Sequence, residues 1–193
     1  GVDLAPYLLL LESMDSLRQQ FGRLALMRSQ ITDLQLPLKD TLAYYSTNIG
    51  HLLSVPALTS RFTGDGMVNR SLQAYYQLLQ GKERGGIERA VLSNVFASGQ
   101  FSPGIYVRFV QLENSQRDFL ESFRQFASPE LVDALQQFQG SAQQQRVDEL
   151  RRLAHRNASG GGFGVEAADW FAAATARLNL LKSMEDRQEQ QLL

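Results

Sequence analysis

Cysteine is absent from this 193-residue sequence, so neither a disulfide framework nor a thiolate metal site can be built. Histidine is nearly absent as well. His51 and His155 each lack a carboxylate or second histidine at ligand spacing, and both read as surface or helix-end residues. No serine sits in a nucleophile elbow or has an evident histidine partner. Gly160-Gly161-Gly162-Phe163-Gly164 follows no strand and carries no phosphate-binding lysine, so it reads as a linker. The expectation is a non-enzyme with no metal and no cofactor. Long apolar runs are missing too: the best candidate, Tyr7 to Leu11, is far short of the roughly 18 residues of a membrane-spanning helix. Gly1-Val2-Asp3 has neither the basic start nor the cleavage site of a signal peptide. A formal charge of −1 lacks the basic excess of a nucleic-acid footprint, so no nucleic-acid partner is expected.

What is present is helical periodicity. Hydrophobic residues make up 44% of the chain, enough for a real core, and only five prolines interrupt it. Leu10, Met14, Leu17, Phe21, Leu24, Arg28 and Ile31 keep a strict 4-3 spacing, which predicts one helix with Arg28 in a core slot. The pattern resumes after Pro37 with Leu38, Leu42, Tyr45, Ile49 and Leu52. Pro56 and the stretch from Thr63 to Gly66 then mark a turn. A third helix carries Leu72, Tyr75 or Tyr76, and Leu79, and leaves through Val91, Val95 and Phe96. A turn at Gly99 to Gly104 precedes Ile105, Phe109, Leu112, Gln116, Phe119, Phe123 and Phe126. Ser128-Pro129-Glu130 opens a segment that ends in Arg151, Arg152, His155 and Arg156, where cations suit the helix dipole. The glutamines from Gln136 to Gln145 read as its solvated face. A last helix, 165–193, buries some of Trp170, Phe171, Ala174, Leu178 and Leu181. The fold class is all-α, an elongated antiparallel bundle of long helices in a single domain, 1–193.

One segment breaks the local rules. Gly81-Lys82-Glu83-Arg84-Gly85-Gly86-Ile87-Glu88-Arg89-Ala90 sets five charges and paired glycines within a long amphipathic helix. Each interior glycine costs about 1 kcal/mol relative to alanine, and core-facing charges cost more unless something meets them. Spacing brings Lys82 and Arg89, or Glu83, to the core, with Arg28 and Gln116 at nearby levels of a hairpin packing. Gly85, Gly86, Ala90 and Ser93 would leave room there. Two readings stay open: a pocket for a small anion, or an arginine layer in which Arg28 pairs with Glu83 or Glu88.

The run from Lys82-Glu83 to Glu88-Arg89-Ala90 is similar to a signature of NIT domains, the nitrate- and nitrite-sensing domains of bacterial receptors. Arg28-Ser29-Gln30-Ile31, Tyr44 or Tyr45 before Ile49 and Leu52-Leu53, and Trp170-Phe171 with Thr175, Arg177, Leu178, Leu181 and Glu185 follow in family order. The earlier Leu-Gln-x-Glu-Arg-Gly element usual in the family has no counterpart here; the one Glu-Arg-Gly is residues 83–85. The resemblance implies an extracytoplasmic, periplasmic sensor of a chemotaxis receptor, kinase or cyclic-dinucleotide enzyme. It also implies that inward arginines bind the anion, mapping onto Arg28 and Arg89, with Arg84 the next choice. Gln116 or Ser93 would donate further hydrogen bonds. The resulting expectation is a homodimeric domain excised from an inner-membrane receptor, its final helix leading toward a membrane span. A helical interaction module or a structural spacer is the rival expectation.

Overall fold

With so little proline to interrupt it, the chain folds as helix almost throughout. A computed structural model describes residues 5–33, 35–36, 38–59 and 64–192. Among them lie α1 (Ala5–Gly22), α2 (Leu24–Thr32), α3 (Leu38–Thr59), α4 (Gly66–Ser98), α5 (Ile105–Phe126), α6 (Pro129–Gln139), α7 (Ala142–Arg156) and α8 (Ala167–Leu192). No strand occurs among the described residues, and the all-α expectation holds. The chain divides into two compact units, Gly1–Tyr76 and Gln77–Leu193, with the division falling inside α4.

In the first unit α1 packs on α3. The Tyr44 hydroxyl donates to the Gln20 carbonyl at 2.6 Å, and Leu17, Met27, Asn48 and Leu53 are buried. The heptad run from Leu10 to Ile31 is not one helix. It breaks at Arg23, and in the helix that restarts there Met27 takes the buried position. Arg28, expected in a core slot, is exposed, as are Met14 and Phe21. Pro56 marks no turn either. It lies within α3, where its missing N–H removes a single ladder bond about one turn before the helix ends. Pro37 and Thr63 fall outside the described residues.

In the second unit the buried face of α4 runs through Leu78, Gly81, Gly85, Glu88, Leu92 and Val95, a strict 3-4 seam in which two of six positions are glycine. A Cβ on Gly81 would touch Leu120 and Phe119 of α5 at 3.4–3.5 Å, so absent side chains let the helices approach closely. One apolar cluster joins Leu92, Val95, Phe96, Phe109, Val147, Leu150, Ala154, Phe163, Trp170 and Ala174. The glycine stretch before α8 is more than a linker. Phe163 packs edge-on to Phe96 and Phe101, with ring centroids 5.2 and 5.7 Å away. The Gly162 amide donates to the Gly99 carbonyl at 2.9 Å. Gly161 has φ +66°, and a Cβ there would lie 2.4 Å from that same oxygen. Elsewhere in the unit Leu120, Phe123, Leu131, Leu135, Phe138, Leu181 and Met184 are buried. The segment opened by Pro129 is two helices, because the chain turns at Gly140 and Ser141 Oγ caps α7 by accepting from the Gln144 amide at 3.2 Å.

Candidate functional site

Set into these apolar seams is a level of polar side chains. Glu88 of α4, Gln116 of α5, Arg151 of α7 and Arg177 of α8 are each within an apolar heptad pattern, and their exposures are only 1%, 2%, 6% and 4%. Gln116 lies between Leu112 and Leu120, and Arg177 between Ala174 and Leu181. Burying such groups costs heavily unless each finds partners.

Arg151 has carboxylate partners. Its Nε and Nη2 donate side-on to the two oxygens of Glu88, both at 2.7 Å, and Nη1 donates to Asp148 Oδ1 at 3.2 Å. Burial lowers the affinity of Arg151 for its proton, but the charge and hydrogen bonds of Glu88 together with the charges of Glu113 and Asp148 outweigh it, and the net direction is upward. Arg177 is different. Its Nε donates to Gln144 Oε1 at 2.6 Å and its Nη1 to Gln116 Oε1 at 2.9 Å. Neither bond uses Nη2, and no carboxylate of the described residues forms an ion pair with this guanidinium. The guanidinium lies over the Phe138 ring, 5.3 Å from its centroid. Burial and then the nearby charge of Arg151 bring its pKa down from the ordinary arginine value to about 10, against the opposing pull of Glu88 and Asp148. A cation held at such cost without a carboxylate is poised to accept an anion.

Gly85 completes the level. A Cβ there would lie 2.9 Å from Leu178 Cδ2 and 3.2 Å from both Arg177 Nη1 and Gln116 Oε1. A Cβ on Gly86 would meet nothing within 4 Å. Of the paired glycines, Gly85 is the one that makes room.

The residues expected from the sequence are dispersed. Gln116 belongs to the level. Arg89 donates to Thr175 Oγ1 at 2.8 Å and covers Phe171 at 4.6 Å, while its carbonyl accepts from Trp170 Nε1 at 2.9 Å. It forms no hydrogen bond with Gln116. Ser93 Oγ donates to the Arg89 carbonyl at 2.7 Å. Arg84 bonds Gln80 Oε1 and lies 5.1 Å from the Phe119 ring centroid. Arg28 is in the other unit and exposed. Lys82, expected at the core, is half-buried and paired with Glu185 of α8. Three residues at this level carry little signal in the sequence. By sequence Arg151 has the position of a helix-end cation, Arg177 stands out only as part of a family pattern, and Gln144 falls in a run that suits a solvated face. A signal existed for Arg177: Trp170, Ala174, Arg177, Leu181 and Met184 keep core spacing along α8.

A family profile described as nitrate and nitrite sensing matches residues 8–193. A nitrate regulatory protein of Klebsiella oxytoca is 30% identical over 165 residues, which cover 85% of this chain and 41% of that protein. A solved structure of the NasR transcription antiterminator superposes with a TM-score of 0.84 at 28% identity, covering 95% of this chain and 49% of that one. The chain thus spans about half or less of the relatives it matches. These relatives overturn the expectation of a periplasmic, chemoreceptor-like domain of an inner-membrane protein, since one is named a nitrate regulatory protein and the other a transcription antiterminator. No helix among the described residues is long and apolar enough to cross a membrane. The order of Glu88-Arg89-Ala90, Trp170-Phe171 and Arg177 within this helical frame has its explanation in descent: the chain belongs to the NIT family, the nitrate- and nitrite-sensing domains.

Proposed function

We propose that this chain is the sensing part of a nitrate- or nitrite-responsive regulatory protein and that Arg177 is the seat of the anion. The observation that carries the reading is a guanidinium only 4% exposed whose partners are two neutral carboxamide oxygens. A planar anion offers two oxygens to the fork formed by Nη2 with either neighbouring nitrogen, and such bidentate, charge-assisted pairs are the strong ones. To bind there it competes with Gln116 Oε1 or Gln144 Oε1. Those glutamines stand on α5 and α7, so the exchange alters what ties α8 to its neighbours, and a small displacement of α8 is the signal. Binding involves no turnover. Output belongs to the regulatory protein as a whole, and the charge of −1 argues against this segment contacting nucleic acid itself. Exposed Leu8, Leu9, Leu11 and Met14 on α1 support assembly as a homodimer, which light scattering would check.

Calorimetric titration with nitrate, nitrite and chloride tests the reading. Saturable binding of nitrate or nitrite that weakens at least about tenfold in Arg177→Ala is expected, since a charge-assisted pair contributes about 1.5–3 kcal/mol. Arg28→Ala, Arg84→Ala, Arg89→Ala and Ser93→Ala address the residues drawn from the sequence. Binding lost in Arg28→Ala and Arg89→Ala but kept in Arg177→Ala moves the site to them. A second reading, a structural layer of paired arginines, is favoured by the Arg151–Glu88 pair. It requires no heat with any anion and a destabilised Arg177→Ala.

A further inference from the structure

Arg177 is bracketed by two copies of one motif. Gln116 Nε2 donates to Glu88 Oε2 at 2.8 Å and to the Leu112 carbonyl at 3.1 Å, which leaves its Oε1 facing Arg177 and, at 3.2 Å, Arg151 Nη2. Gln144 Nε2 donates to Asp148 Oδ1 at 2.8 Å, and its Oε1 faces Arg177 Nε. Each glutamine is thereby oriented by a carboxylate, because the flipped amide would set oxygen against carboxylate and N–H against guanidinium. Both carboxylates also pair with Arg151. Two arginines and two carboxylates leave the level formally neutral before any ligand arrives. A single negative charge on Arg177 then has one cation in contact and two carboxylates close behind the glutamines. A second negative charge has nothing left to balance it, in surroundings where unit charges act strongly on one another.

Resting on the assignment of the anion to Arg177, we infer that Glu88 and Asp148 are specificity-determining residues: acting through Gln116 and Gln144, they restrict the site to monoanions. Their part is to set the charge and orientation around the arginine without touching the ligand. Removing one of these charges while keeping its oxygen acceptor loosens the restriction.

The test is calorimetry on the full chain with sodium nitrate and sodium sulfate, using wild type, Glu88→Gln, Asp148→Asn and a control, Glu149→Gln. Glu149 is exposed on α7 and pairs with Arg146 at the surface. Wild type and the control are expected to bind nitrate and give no saturable sulfate binding. Glu88→Gln should bind nitrate roughly tenfold tighter and acquire sulfate binding, with a smaller change of the same sign in Asp148→Asn, whose carboxylate is partly solvated. Should circular dichroism show Glu88→Gln unfolded, Asp148→Asn, which leaves the Arg151–Glu88 pair intact, decides alone. Equal affinity of wild type for sulfate and nitrate overturns the inference. So do folded variants whose nitrate-to-sulfate ratio matches wild type while nitrate binding stays dependent on Arg177. Absence of any Arg177-dependent nitrate binding instead removes the assignment beneath it.

Discussion

Replacing Arg177 with methionine separates a binding residue from a structural one, because the two roles give stability changes of opposite sign. Burial, and then the charge of Arg151, hold the guanidinium at about 10 in the folded chain, well below the ordinary arginine value, a difference equivalent to about 3 kcal/mol. The folded state therefore holds this proton less tightly than the unfolded state. At neutral pH both states are charged and the full cost stands; stability would rise only as pH climbs above about 10 toward the ordinary arginine value. Methionine keeps an apolar stem beside Phe138 and removes the charge. Gln116 Oε1 retains Arg151 Nη2 at 3.2 Å. Gln144 Oε1 loses its donor, at a cost of about 1–2 kcal/mol. Arg177→Met should therefore gain about 1–2 kcal/mol in buffer without nitrate, seen as a rise of about 2–8 °C in melting temperature for a chain of this size. Nitrate at a hundred times its dissociation constant stabilises wild type by about 2.7 kcal/mol and the variant not at all, so the order of stability inverts. Thermal or urea unfolding with and without nitrate reads both effects. A variant less stable by several kcal/mol in plain buffer, beside a wild type indifferent to nitrate, refutes the reasoning.

Gly85→Ala is expected to weaken nitrate binding by more than about tenfold through its contacts with Arg177 and Gln116, while Gly86→Ala, with open space around it, stabilises α4 by about 0.5–1 kcal/mol and leaves binding unchanged. Calorimetry and thermal unfolding of the pair decide it; equal effects at the two positions contradict the close approach at Gly85. Gly161→Ala should cost at least about 2 kcal/mol in urea unfolding, since φ is +66° and the new Cβ meets the Gly99 carbonyl. Burial raises the pKa of Glu83 above 4.5, against the charges of Arg84 and Lys82. A raised carboxylate value gives stability that is full below 4.5 and lost as pH rises through the folded value, so Glu83→Gln should be more stable than wild type at neutral pH and equal to it near pH 4.

The helical class was legible because apolar residues repeat every three or four positions in every long segment. Gln116 was legible for the same reason: Leu112 and Phe123 flank it at core spacing, and it is buried. The register of α4 was not. Its seam passes through Gly81 and Gly85, and glycine carries no hydrophobic signal, so the apolar pattern points through Leu79 and Lys82 instead. One residue of error moves Glu88 off the core and puts Arg89 on it. A heptad pattern assumes a continuous helix and so sets Arg28 in the core, while the backbone restarts at Arg23 with nothing in the sequence stronger than Gly22 to announce it. Gln144 was hidden among its neighbours. Of the glutamines between 136 and 145 it alone turns to an arginine, and only the break at Gly140 sets that orientation. Arg151 and Arg177 lie far apart in sequence on helices that pack together, a juxtaposition that spacing along one helix does not express.

The most direct measurement is a crystal structure of the chain saturated with nitrate. The account predicts planar density on an edge of the Arg177 guanidinium that includes Nη2, with nitrogen–oxygen distances of about 2.7–2.9 Å, and with Gln116 or Gln144 displaced from it. Nitrate bound at Arg28 or Arg89, with Arg177 still holding both carboxamides, would contradict it.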